Sequence, residues 1–305
     1  MRWIKKGLIY GPDGTYSWAK HSALTPTPVL IDANTIRVYV GFRDEYGVSR
    51  IAFVDVDANN PSKVKNVSKT PVLDIGLPGT FDDNGVILGD ILENNNKLYM
   101  YYVGFQLVEK VKFLAFTGLA ISSDGGNTFQ KYSKAPILDR SDKELYFRAV
   151  HSVMIENGIW KAWCGIGSEW EWIDDKPFPK YHIRYFESRD GITFPKAGRV
   201  CIDFKGNEYR LGRPRVIREK EIYKMFYTKG TLQKDYIPGY AESDDGINWI
   251  RMDDKIGIKK SEKGWDSKHL CYPSVIQYKD RFYMFYNGND YGKDGFGYAL
   301  LEQWR

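Results

Sequence analysis

One pattern recurs five times along this chain of 305 residues, and it constrains the fold more than any other feature. Each copy contains an apolar and aromatic segment: NTIRVYV, NKLYMYY, GIWKAW, EIYKMFY and RFYMFY. The segments end at Val40, Tyr102, Trp163, Tyr227 and Tyr286, so successive ends are 62, 61, 64 and 59 residues apart. Such a nearly constant period indicates a set of equivalent structural units.

Each unit is predicted to contain four short strands. An apolar residue ten or eleven positions before the end of each segment marks a first strand, and a third strand follows downstream. Three of the third strands lead into Ser-x-Asp-Gly, a tight-turn sequence in which Asp124, Asp190 and Asp245 are expected to be structural. Aromatic residues make up 15% of the chain and few stretches have helical periodicity, so little helix is expected.

Five such units predict an all-β fold, a five-bladed β-propeller with four-stranded antiparallel blades. The predicted blades span approximately residues 18–70, 80–140, 146–203, 208–260 and 266–305. The last unit lacks a fourth strand, and RWIKKGLI at the N-terminus resembles WIRMDDKIGI in the fourth unit. We therefore expect the N-terminal strand, residues 2–9, to close the last blade, which would cover two sheet edges and leave residues 1–305 as one domain.

Charge and cysteine content exclude several classes of function. The formal net charge is +5, with 44 basic and 39 acidic residues interspersed and no polybasic arm, so no nucleic acid partner is expected. No segment has the length of a signal peptide core or a membrane span. Cys164, Cys201 and Cys271 are odd in number and lack metal-ligand spacing, so a reduced, cytoplasmic location is predicted.

Polar residues are expected to gather on one face of the predicted propeller. First strands line the central channel, and the loops that enter first strands share a face with the loops that leave second strands. The candidate catalytic carboxylates in these loops are Asp44, Asp82, Asp83, Asp90 and Glu169. The candidate substrate-binding residues are His21, Arg43, Arg148, His151, Trp170, Arg213, Arg215, His269, Tyr272 and Asn287.

Structural roles compete with these functional ones. Asp82 and Asp83 could cap a turn, and Arg213 and Arg215 could form ion pairs between blades. His151 could be a core histidine. Trp170 could simply pack in its loop, although its alternation with acidic residues also suits a sugar-stacking platform.

The repeat period, the Pro-x-Val first strands, the Ser-x-Asp-Gly turns and the segment FRDEYGVSRI together resemble a known group. The chain is similar to the five-bladed propellers of glycoside hydrolase families 43, 32, 68 and 130 and to related predicted glycosidases of polysaccharide gene clusters. Resemblance to family 43 implies an Asp in the first blade, an Asp in the second and a Glu entering the third. Asp90 matches the second position, whereas Pro26 stands at the first and FRAVHSV has no Glu.

The resemblance implies a carbohydrate-active enzyme, and a glycoside hydrolase that uses carboxylates at the channel entrance is the first expectation. The glycan could be acidic, since arginines recognise carboxylate groups. One alternative is an inverting glycoside phosphorylase or sugar-transferring enzyme with an Arg/His anion site, and another is a glycan-binding propeller without catalysis. The expected ligand is an oligosaccharide, a glycoside or a sugar phosphate. No cofactor or metal site is predicted; relatives can hold Ca²⁺ in the channel, but His151 or His269 alone does not define such a site.

Overall fold

The structure is a computed structural model that describes residues 1–233 and 236–304, and it consists almost entirely of β-strands. Within those ranges the helical elements are α1 (Asn289–Gly292) and a 3-10 turn at Asp253–Lys255. The expectation of an all-β protein with little helix is confirmed.

Four consecutive groups of strands each run antiparallel in chain order. Group one is β2 (His21–Asp32), β3 (Thr35–Arg43), β4 (Ser49–Asp57) and β5 (Val64–Val67). Group two is β6 (Val86–Asn94), β7 (Lys97–Gln106), β8 (Leu114–Ser122) and β9 (Gln130–Lys131). Group three is β10 (Phe147–Glu156), β11 (Ile159–Ile173), β12 (Lys176–Ser188) and β13 (Arg199–Ile202). Group four is β14 (Glu208–Glu219), β15 (Ile222–Thr231), β16 (Tyr236–Ser243) and β17 (Ile250–Arg251).

Group five combines both ends of the protein. It contains β18 (Cys271–Tyr278), β19 (Arg281–Asn287), β20 (Phe296–Gln303) and, as its outer strand, β1 (Arg2–Tyr10). The strands β1 and β20 are antiparallel, and Trp3 lies opposite Leu301. The N-terminal segment thus covers the edge that β20 would otherwise expose.

Hydrophobic clusters join each group to the next. One cluster contains residues of groups one and two, and further clusters join two to three, three to four, and four to five. A fifth cluster joins group five to group one and includes Val38, Val54, Phe285 and Tyr298. Short parallel pairings also link β8 to β10 and β12 to β14, so groups two, three and four share a twelve-stranded sheet.

The first strand of every group carries a β-bulge at the same place. The pairing with the second strand slips by one residue between Leu24 and Thr27, Leu88 and Asp90, Val150 and Ser152, Gly212 and Arg215, and Cys271 and Ser274. A bulge leaves one residue outside the ladder and redirects side chains, a feature that is common beside active sites. We call the residues Thr25, Gly89, His151, Arg213 and Tyr272 the bulge positions.

The Ser-x-Asp-Gly segments form the predicted structural turns. In one of them, the Asp190 carboxylate accepts the backbone N–H groups of Ile192 (2.8 Å) and Thr193 (2.7 Å). Desolvation would raise the pKa of Asp190, but these bonds and those from the Ser188 and Thr193 side chains outweigh it and hold that pKa below its usual value.

Candidate functional site

Three of the bulge positions, Gly89, His151 and Arg213, line a narrow cavity between the first strands. Its lining residues are Thr27, Gly89, Asp90, His151, Arg213, Pro214, Arg215, Pro273 and Ser274. All five groups contribute to this lining through their first strands, with residues at or within two positions of the bulge.

Arg213 crosses this cavity and is buried. Its guanidinium donates to the carbonyl oxygens of Gly89 and Thr25 and to Thr27 Oγ1 (2.6 Å), so it connects group four to groups one and two. Burial lowers the pKa of Arg213 to about 10. Arg213 was predicted to contact a ligand, but its guanidinium N–H groups are hydrogen-bonded within the protein itself.

Asp90 and Arg215 form an ion pair at the base of the cavity, with 2.7 Å between Asp90 Oδ1 and the Arg215 guanidinium. Asp90 is 1% exposed, and its Oδ2 accepts the Val153 N–H at 2.8 Å. Arg215 also donates to the Val275 carbonyl. Of the five candidate carboxylates, Asp90 is the one that lines the cavity, and it is already paired there.

His151 is buried beside Arg213. Its Nδ1 is buried and has no hydrogen-bond partner among residues 1–233 and 236–304. Burial, with the positive charge of Arg213, holds the pKa of His151 well below its usual value, so the ring is neutral at pH 7. A neutral imidazole can accept or donate a proton at a reacting group.

Asp82 is one of four acidic residues that recur at a similar place in groups two to five. It accepts from Lys131 Nζ (2.6 Å) and the Tyr102 hydroxyl (3.1 Å), and Asp266 accepts in the same way from Lys5 (2.6 Å) and Tyr286 (3.1 Å). Buried acidic residues at 82, 144, 208 and 266 pair with cations in groups two to five. The repeat period of the sequence contained this signal, although the sequence prediction singled out Asp82 alone.

The remaining candidate carboxylates lie in three different settings. Asp83 accepts the Gly79 N–H and the Asn84 amide, both at 2.7 Å. Asp44 caps its own turn through the N–H groups of Tyr46 and Val48 and pairs with Arg50. The Glu169 side chain is 71% exposed and pairs with Lys180.

Arg148, Asn287 and Trp170, three predicted substrate contacts, also have partners within the protein. Arg148 pairs with the buried Glu144 at 2.8 Å. The Asn287 amide accepts from the Thr25 N–H (2.8 Å) and donates to the Ala23 carbonyl (2.8 Å), which ties group five to group one. Trp170, on the long β11–β12 hairpin, lies against the ring of Tyr146, which precedes β10.

Aromatic rings and two arginines form a second feature beside the cavity, where Tyr272 precedes the lining residue Pro273. The ring of Tyr236 meets Tyr272 (5.6 Å) and Tyr291 (5.1 Å) edge to face, and Tyr291 stacks on His269 at 5.8 Å. Arg210 lies over the rings of Tyr209 (4.5 Å), Phe178 and Tyr236. We call the set Arg43, Arg210, Tyr236, His269, Tyr272 and Tyr291 the aromatic surface.

Arg43 and His21 lie side by side at the edge of the aromatic surface. Burial lowers the pKa of Arg43, and the phenols of Tyr272 and Tyr291 lie near enough to oppose that shift. Burial, with the positive charges of Arg43 and Lys293, lowers the pKa of His21, whose Nδ1 lies 2.8 Å from Ser22 Oγ. The structure thus brings together four predicted residues, His21, Arg43, His269 and Tyr272. The sequence prediction missed Arg210, Tyr236 and Tyr291, which lie in β14, β16 and α1 outside the repeated motifs.

Two features are absent from the described residues. In residues 1–233 and 236–304, no three His, Cys, Asp or Glu side chains converge as a metal site would require. The same part of the protein contains no helix with the length and apolar character needed to cross a membrane.

Sequence comparison finds a full-length relative. The uncharacterized protein Rv1502 of Mycobacterium tuberculosis (strain ATCC 25618 / H37Rv) is 33% identical over 305 residues, which cover 99% of this chain and 100% of the relative. No protein-family model matches the sequence.

Structural comparison places the fold among glycoside hydrolase-fold proteins. A structure of a BT0996 RGII complex superimposes with a TM-score of 0.73 at 18% identity, covering 98% of this protein and 92% of the other. A thermostable family-43 glycoside hydrolase gives 0.67 at 17% identity over 92% and 88% of the two proteins. A structure from the GH130 family of mannoside phosphorylases gives 0.70 at 14% identity over 99% and 94%.

Proposed function

This protein belongs to the same family as the uncharacterized protein Rv1502 of Mycobacterium tuberculosis, and from its fold and cavity we propose that it is a carbohydrate-active enzyme of the glycosidase type. The observation that carries the proposal is the ring of five bulges, which directs His151, Arg213 and the neighbouring Asp90 into one cavity beside an aromatic surface. Aromatic walls with a few convergent polar groups are the usual composition of a small-molecule site.

The proposal includes a single-domain five-bladed propeller. The five strand groups and the cluster that joins group five to group one support it, because each group then packs against two neighbours. A cytoplasmic location accords with the three free cysteines.

Glycoside cleavage needs one group that protonates the leaving oxygen and a second that activates water or attacks carbon. We assign one of these roles to Asp90, because it alone among the five candidate carboxylates lines the cavity. Asp83 is the proposed partner; it lies in the loop that leads into β6, the strand of Asp90, and its two hydrogen bonds come from neutral donors rather than from a cation. Neutral His151 would position or relay a proton beside them.

Turnover of a panel of aryl glycosides, oligosaccharides and sugar phosphates, with and without inorganic phosphate, tests this proposal. Asp90→Asn and Asp83→Asn should each lower kcat by roughly a hundredfold or more, since general acid or base catalysis contributes about that factor. Asp280→Asn, in the exposed turn between β18 and β19, is the matched control and should leave turnover unchanged.

Thermal unfolding of each variant separates lost chemistry from lost structure, because Asp90 is also paired with Arg215. Activity that survives both substitutions would refute the assignment of these carboxylates. Ligand binding without turnover of any substrate in the panel would identify a binding protein instead. Strict dependence on phosphate would identify a phosphorylase.

A further inference from the structure

Most arginines around the cavity already have partners within the protein. Arg215 pairs with Asp90, Arg148 with Glu144, and Arg213 donates to backbone and hydroxyl oxygens. These guanidinium groups hold the strand groups together, so they have few donors to offer a ligand. Arg43 and Arg210 differ from them.

The Arg43 guanidinium has no hydrogen bond or ion pair to any side chain or carbonyl in residues 1–233 and 236–304, and its Nε is buried without a partner. Its position at the end of β3 places it beside Tyr272 and Tyr291. A partly buried guanidinium without a counter-charge destabilises the free protein, which is a common property of residues kept for binding.

Arg210 has aromatic rings around it in place of carboxylates. It donates to the Tyr209 hydroxyl, and its Nε is buried without a partner in the described part of the protein. The rings of Tyr209, Phe178 and Tyr236 lie 4.5, 5.5 and 6.0 Å from its guanidinium carbon. Aromatic faces can hold a cation in place without neutralising its charge.

Tyr291 interacts electrostatically with both arginines and lies on a strained turn. Both Asp290 and Tyr291 adopt left-handed backbone conformations, with φ of 50° and 62°. The turn is fixed because Asn289 Oδ1 accepts the N–H groups of Lys268 and His269, and His269 Nδ1 accepts the Asp290 N–H at 3.1 Å. Strain maintained by several hydrogen bonds in this way is typical of ligand-binding segments.

We propose that Arg43 and Arg210 bind an oxyanion of the ligand, a carboxylate or a phosphate, at the aromatic surface. The planar guanidinium fork matches the oxygens of both groups, and the Tyr291 and Tyr236 rings offer faces for the sugar to which the oxyanion is attached. That the oxyanion belongs to a sugar rests on the proposed function. The anion site itself rests on two arginines that have no carboxylate partner in the described residues and whose Nε atoms are buried without a hydrogen bond. It moves the predicted anion contacts from Arg213 and Arg215 to Arg43 and Arg210.

Calorimetric titration of the full-length protein at low salt tests the proposal, with inorganic phosphate, D-glucuronate and neutral D-glucose as the probes. At least one of the two anions should bind, and Arg43→Gln and Arg210→Gln should each weaken that binding about tenfold or more, as expected for a lost charge-assisted hydrogen bond. Arg189→Gln, in the exposed Ser-Arg-Asp-Gly turn, is the control and should bind as the unchanged protein does. Binding of phosphate alone or of glucuronate alone identifies the source of the oxyanion.

Thermal unfolding without ligand gives a second readout. Arg43→Gln should leave the Tm unchanged or raise it, because the substitution removes an uncompensated, partly buried charge, whereas a structural arginine would lower the Tm when replaced. The proposal fails if neither anion binds, or if an anion that binds the unchanged protein binds Arg43→Gln equally tightly. It also fails if the loss of binding in Arg43→Gln is matched by a proportional loss of thermal stability.

The two proposals can fail separately. Turnover of neutral glycosides, together with no binding of either anion, would overturn the anion site and leave the glycosidase assignment standing. Arginine-dependent phosphate binding, without turnover of any glycoside or sugar phosphate, would support the anion site and remove the enzymatic assignment.

Discussion

At the scale of single residues, backbone strain is divided between two regions. Among the described residues, thirteen that are not glycine have a positive φ. Seven occupy turns within hairpins: Asn95, Asn96, Asn157, Asp174, Asp175, Lys220 and Lys279. The other six lie in the first strands or in α1: Ser22, Thr25, Arg213, Tyr272, Asp290 and Tyr291. Strain of this kind persists where surrounding contacts impose it, which supports the region of the first-strand bulges and α1 as the functional one.

His151 should make the protein sensitive to acid. Its folded-state pKa is depressed by burial and by Arg213, so below about pH 6.5 the unfolded state takes up a proton that the folded state does not, and the loss of stability can approach ~1.4 kcal/mol per pH unit. We expect urea unfolding to show a smaller drop between pH 7.5 and 5.5 in His151→Gln than in the unchanged protein. His182→Gln, the control, should retain the full drop; an identical drop in all three proteins would contradict the prediction.

Some residue roles could be predicted from the sequence and others could not. The Ser-x-Asp-Gly turns were predictable because the carboxylate of an Asp accepts from backbone groups only two or three residues away. Arg213 reaches Gly89 and Thr25, which are 124 and 188 positions distant in the sequence. A repeat period shows which positions are equivalent, but not which side chain crosses the cavity to meet another.

At the scale of elements, the second strands were the most predictable because they are continuous apolar segments. Their ends in the structure, such as Arg43 and Gln106, lie a few residues beyond the predicted ones. The bulges were not predicted, because a one-residue slip changes the pairing partner without changing the alternation of residue types nearby. In group one the slip lies between Leu24 and Thr27, so either Thr25 or Pro26 could occupy the bulge position. Comparison with group four assigns it to Thr25, because Thr25 precedes Pro26 as Arg213 precedes Pro214.

The strand β1 should contribute strongly to stability through Trp3. This side chain is 5% exposed and packs edge to face against Phe226 (6.0 Å) and Trp304 (6.5 Å). Trp3→Ala should lower the free energy of unfolding by about 3–5 kcal/mol in urea denaturation, because it leaves a large cavity. Leu8→Ala, on the exposed side of the same strand, should change it by less than about 0.5 kcal/mol. Similar small effects of both substitutions would mean that β1 is not docked in solution.

At the scale of the whole molecule, the hydrophobic clusters make the strand groups depend on one another. Each cluster contains side chains from two groups, so a group that unfolded alone would expose the clusters on both of its sides. We therefore expect far-UV circular dichroism and tryptophan fluorescence to report one coincident unfolding transition.

Phe285→Ala tests this dependence at the contact between groups five and one. Phe285 is fully buried, and its truncation should cost about 3–5 kcal/mol while the two spectroscopic transitions remain coincident. Tyr46→Ala, at an exposed position in group one, should have little effect. Two separate transitions in the unchanged protein would show that the groups unfold as independent domains.

The repeated bulge has an evolutionary consequence. Because a bulged residue is outside the strand ladder, its identity is not constrained by the register of its strand. Five sites in or next to one cavity can therefore diversify independently, and they already hold a threonine, a glycine, a histidine, an arginine and a tyrosine. A new ligand preference could arise by point substitution at these sites, without insertion, deletion or any rearrangement of the strands that support them.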